Sequence, residues 1–124
     1  MISDQLRDEL LAFRKERDWE QFHNLRTLFT SIALEAAELM EHTQWATDAD
    51  LPAIATLRHE AITEEIADVA ILLTYLAHDL DVDMEEAVRR KLLNNAEKYP
   101  RRRRGVWRRS GIGCKLDLFA VEKR

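Results

Sequence analysis

One cysteine, Cys114, in 124 residues excludes an internal disulfide, so the fold must rest on packing alone, and a reducing compartment, the cytoplasm, is expected. Three Gly and two Pro leave little material for tight turns, which disfavours a fold of many short strands. The longest apolar run, VAILLTYLA, falls far short of the ~20 residues that a membrane-spanning helix needs. The opening MISDQLRDEL is charged from its fourth residue and does not read as a signal segment. A membrane role is therefore not expected.

What the chain does have is two-faced material, with 46% hydrophobic and 34% charged residues. The net charge of −4 conceals an asymmetry: residues 1–100 carry 21 Asp and Glu against 10 Lys and Arg, whereas residues 101–124 carry 2 against 9. An acidic body argues against nucleic acid as the main partner and suits a cation site or plain solubility. The composition break divides the chain into a helical domain, 1–100, and a basic tail, 101–124, which reads as a solvated segment; an accessory contact to phosphate or nucleic acid is its alternative. Whether CKLDLFAV within the tail forms a strand or a helix end stays open.

Hydrophobic periodicity predicts four helices and an all-α, four-helix bundle-like fold. Ser3 or Asp4 can cap a first helix to about Arg17, with Leu6, Leu10 and Phe13 on its stripe. DWEQFHN bends the chain. Leu25, Leu28, Phe29, Ile32, Ala36, Leu39 and Met40 recur at helical spacing and predict a second helix over 25–45. Pro52 suits the first turn of a third, reaching about Leu80. Asp83, with Glu86 three residues on, resembles a capping box for a fourth that ends before Pro100.

At ~100° per residue, Glu35 and Glu38 fall about 80° and 140° to one side of the second helix's stripe, and Glu65 and Asp68 about 60° and 120° to the same side of the third's. On antiparallel helices these i, i+3 pairs can converge, and four like charges together would raise one another's pKa unless a divalent cation neutralised them. Hard carboxylate oxygens without thiolate suit Mg²⁺, with Mn²⁺ as substitute. A di-iron bundle would want two Glu-x-x-His units, and only Glu20 to His23 has that spacing. The competing interpretation of the acids is a solvated helix face. Leu34 and Ile71 point nearly opposite their own stripes and imply a partner surface.

RDWEQFH (17–23), EAAELMEHTQW (35–45), EEIADV (64–69) and KLLNNAEKYP (91–100) together resemble the MazG-like all-α nucleoside triphosphate pyrophosphohydrolases, and are most similar to the dCTP pyrophosphatase branch. The resemblance implies a MazG-type fold, assembled as a homodimer or dimer of dimers. It also implies Mg²⁺-dependent cleavage of a (d)NTP to monophosphate and pyrophosphate, as nucleotide-pool housecleaning. By residue match, Glu35, Glu38, Glu65 and Asp68 would bind metal, Glu35 or Glu41 would take the water's proton, and Trp19, His23 and Trp45 would hold the base. Lys91 and Asn95 would reach phosphate, with Tyr99 closing the pocket or stacking on the sugar. Leu72, Leu93 and Lys98 depart from residues common in the family at those places. The rival expectation is a noncatalytic helical interaction module with a basic recruitment tail.

Overall fold

In the computed structural model, residues 2–101 are described, and all of their regular structure is helical. The helices are α1 (Asp4–Glu16), α2 (Leu25–Glu41), α3 (Leu51–Leu57), α4 (His59–Asp79) and α5 (Met84–Lys98). Short 3₁₀ turns at Trp19–Phe22 and Asp48–Asp50 link α1 to α2 and α2 to α3. The chain divides into two compact units after Val88; Cys114 and residues 102–124 lie outside the described residues.

Local chemistry accounts for most boundaries. The Ser3 hydroxyl accepts from the Leu6 amide and starts α1. Asn24 and Thr27 exchange side-chain and backbone bonds in a capping box that opens α2. Asp83 accepts from the Glu86 amide at the head of α5, as its spacing predicts. Two results differ from the periodicity. The second helix stops at Glu41, and residues 42–45 continue as turns. The single helix expected over 52–80 is two, because the backbone departs from helical angles at Arg58 (φ −108°, ψ 17°); no Gly or Pro stands there to announce the break.

α2 and α4 form the central pair of the first unit. The His23 ring, just before α2, lies against Tyr75 late in α4, while Glu35 and Glu38 late in α2 meet Glu65 early in α4. The two helices therefore run antiparallel. Leu28 is 1% exposed between them, a burial that contributes about 2 kcal/mol. α1 is pinned across α4 by polar bonds rather than by its apolar stripe. The Arg14 guanidinium donates to both Asp79 carboxylate oxygens at 3.0 and 2.7 Å and lies 4.8 Å from the Tyr75 ring centre, and the Tyr75 hydroxyl donates to the Leu10 carbonyl at 3.1 Å. Leu6 and Phe13, the expected core of α1, stay substantially exposed.

Among the described residues only Leu28 and Tyr75 are buried hydrophobics. Phe22, Leu34, Met40, Leu57 and Ile66 face solvent, and Trp45 is 90% exposed. No described helix is long and apolar enough to cross a membrane.

Candidate metal centre

The acids that α2 and α4 carry do converge. Glu35, Glu38 and Glu65 each offer a carboxylate oxygen, and the three oxygens lie within 4.8 Å of one another. One turn separates Glu35 from Glu38, so both project from one flank of α2, and the antiparallel α4 brings Glu65 opposite them. Asp68 stands outside this trio, yet near enough for its charge to act on both Glu35 and Glu65.

The electrostatics are those of crowded like charges at a half-buried edge. Loss of hydration pushes the Glu35 carboxyl above the ordinary range, and the charges of Glu38 and Asp68 add to it. Glu65 is raised as well, first by lost hydration, then by a hydrogen bond shared with Glu38 and by the charges of Glu38, Glu35 and Asp68. Each raised value means that the ionised cluster lacks compensation within the chain. An all-oxygen, anionic donor set of this spacing fits a hard divalent cation and offers no soft ligand for a thiophilic one.

A scan for protein families matches residues 30–106 to the MazG-like family. The chain belongs to the MazG-like family. Among curated proteins, dCTP pyrophosphatase 1 of Rattus norvegicus is 42% identical over 90 residues, 71% of this chain and 53% of its own length. The Homo sapiens protein of that name is 41% identical over the same shares. The chain thus spans about half the length of these relatives. Among solved structures, a pyrophosphatase from Archaeoglobus fulgidus is 37% identical, superposes with a TM-score of 0.76, and is matched over 79% of this chain and 92% of its own.

In this MazG-like chain the residues expected to hold the base do not gather at one point. Trp19 packs edge-on against Phe13, ring centres 5.5 Å apart, and His23 lies 5.5 Å from Tyr75. These two stand at the head of α2, whereas Trp45 lies beyond its tail; the 17-residue helix between them is about 25 Å long. Lys91 and Asn95 share a face of α5 in the second unit, and the Tyr99 amide donates to the Asn95 carbonyl at 2.8 Å. A cleft of about 630 Å³ opens between the head of α1 and the Asp81–Asp83 turn, and none of the trio lines it.

Sequence patterning missed Arg14, Asp79 and Tyr75. Arg14 reads as an outward charge near the end of α1, yet it is 4% exposed. The available signal was Asp79, an acid closing the most apolar helix, which needs a cation once α1 covers it.

Proposed function

We propose that this chain is a divalent-metal-dependent nucleoside triphosphate pyrophosphohydrolase, cutting between the α and β phosphorus atoms to give monophosphate and pyrophosphate. The observation that carries this reading is the uncompensated carboxylate trio on α2 and α4. The relatives named dCTP pyrophosphatase 1 support the reaction and a preference for dCTP; nucleotide-pool housecleaning in the cytoplasm is the setting proposed with it.

Glu35, Glu38 and Glu65 hold the metal, with Asp68 completing the set. Mg²⁺ is the proposed ion and Mn²⁺ its substitute; when bound, it supplies charge neutralisation for the triphosphate and a more acidic water. Glu35 or Glu41 accepts the proton of the attacking water. Lys91 and Asn95 contact phosphate oxygens, and Tyr99 the sugar. Stacking on Trp19 contributes ~1–3 kcal/mol to holding the base, and His23 orients its edge.

Helix geometry separates the aromatic roles. Glu35 stands ten residues past Leu25, about 15 Å along α2, a span comparable to an extended nucleotide with its base at His23 and its phosphates at the acids. Trp45 lies on the far side of the acids from His23. It therefore serves the base held by a second copy. That assignment, with the large apolar side chains left open on a single chain, supports a homodimer or dimer of dimers.

Incubation with each dNTP and Mg²⁺, followed by separation of products, tests the reading. Monophosphate and pyrophosphate are expected, with dCTP fastest; no turnover of any triphosphate would leave a noncatalytic interaction module.

A further inference from the structure

The apolar stripe of α1 is too open to fix how that helix lies on α4: Leu6 and Phe13 remain exposed, and Arg14 is the one buried side chain of α1. What fixes it is a fork. The Arg14 guanidinium donates to both Asp79 oxygens, at 3.0 and 2.7 Å, above the Tyr75 ring, and the Tyr75 hydroxyl holds the Leu10 carbonyl one helical turn back. A bidentate pair admits one approach of its two planar groups, where an apolar contact admits many.

Neighbouring residues pass that setting on. Phe13 adjoins Arg14 in sequence and holds the Trp19 ring edge-on, with planes at 76°, while the Arg17 guanidinium carbon lies 3.4 Å from the centre of the Phe13 ring. The 3₁₀ turn that bears Trp19 is joined to α1 by the Asp18 amide, which donates to the Lys15 carbonyl at 3.0 Å. The Gln21 side-chain amide closes the turn on the Asp18 carboxylate at 2.9 Å. A roll of α1 therefore carries Trp19 with it. Tyr75 also backs the His23 ring, and Arg14, Glu20, His23 and Asp79 wall one cleft of about 420 Å³ at the head of α2.

We propose that Arg14 and Asp79 form a positioning latch: their pairing fixes the roll of α1 on α4, and through it the place of Trp19, so that two residues with no contact to substrate govern its binding. The inference rests on the pyrophosphohydrolase reading, which puts a base against Trp19. Asp79 stands fourteen residues past Glu65, about 21 Å along α4, so a fault in the latch reaches the base and not the acids.

The double variant Arg14→Met, Asp79→Leu separates positioning from support, because an apolar pair strands no charge and keeps or raises stability. Its melting temperature is expected at or above that of the wild type, while KM for dCTP rises about tenfold, within the range of one lost base stack, and kcat stays within about twofold. Arg14→Lys keeps the charge opposite Asp79 but not the fork; it is expected to raise KM about threefold, and it carries the test if the double variant does not fold. A second readout is independent of hydrolysis. With Trp45 and Trp107 replaced by Phe, Trp19 is the sole indole, and in both latch variants its emission should move to the red and its iodide quenching increase. Wild-type KM and wild-type Trp19 emission in a stable double variant would overturn the inference, as would a fall in kcat with KM unchanged. If the wild-type chain turns over no triphosphate and Trp19 still shifts in the variants, the hydrolase reading fails and the latch stands; turnover with an unmoved Trp19 sinks the latch alone.

Discussion

The two ends of the α2–α4 pair solve the problem of charge near a core in opposite ways. At one end Arg14 and Asp79 neutralise each other through two short bonds, and the Asp79 carboxyl is held below its ordinary range, chiefly by hydrogen bonds from Arg14. At the other end Glu35, Glu38 and Glu65 crowd together with no cation among them, and Glu35 and Glu65 are pushed upward. The first end is electrostatically complete and ties α1 to the pair. The second favours taking up protons or a cation, which the proposed metal would supply.

The sharpest way to break this contrast is to disarm the acidic end. Glu38→Gln or Asp68→Asn is expected to lower turnover by roughly 100-fold or more, since metal charge stabilisation supplies several kcal/mol. Circular dichroism should show helicity unchanged, because neither side chain supports the fold. Activity at the wild-type level in both variants would remove them from the site.

At the opposite end the expected loss is in stability. Asp79→Asn strands the buried Arg14 guanidinium and should cost about 3 kcal/mol in chemical denaturation. The pair's own pH signature has a definite sign: Asp79 titrates lower when folded, so its contribution is present above the ordinary carboxylate value and fades as pH falls through the depressed one.

Titration sharpens the contrast further. Glu35 and Glu65 titrate higher when folded, so the metal-free protein gains stability as pH falls through their raised values toward the ordinary 4.5. Protons and metal compete for the same oxygens, and Mn²⁺ affinity, followed by electron paramagnetic resonance, should weaken over that window. Affinity independent of pH between 7 and 4.5 would contradict the raised values. The smallest effect belongs to His23. Its folded value is lowered, so stability is present above 6.5 and declines as pH falls below it; His23→Ala should flatten that slope in pH-dependent melting.

Much of this was legible because helices advertise themselves. The α2 helix, the Ser3 and Asp83 caps, and the convergence of Glu35, Glu38 and Glu65 follow from spacing that a 3.6-residue turn converts directly into a shared flank, whereas Leu25, Phe29 and Met40 of the expected α2 stripe are exposed. The break at Arg58 was hidden, since backbone departure there carries no Gly or Pro. Arg14 was hidden for a different reason. Its burial depends on a partner 65 residues away, and periodicity treats every arginine as solvent-facing. The same blindness concealed the cleft beside His23, whose walls come from α1, the 3₁₀ turn, the head of α2 and the end of α4.

The indoles of Trp19 and Trp45 sit in unlike surroundings beyond opposite ends of one rod, the first against an aromatic ring and the second almost bare. That makes them two of the chain's three native indole fluorophores, with separate duties. Emission from Trp19 follows events beside the first helix, while iodide quenching of Trp45 gauges how much of the far tip another molecule has covered.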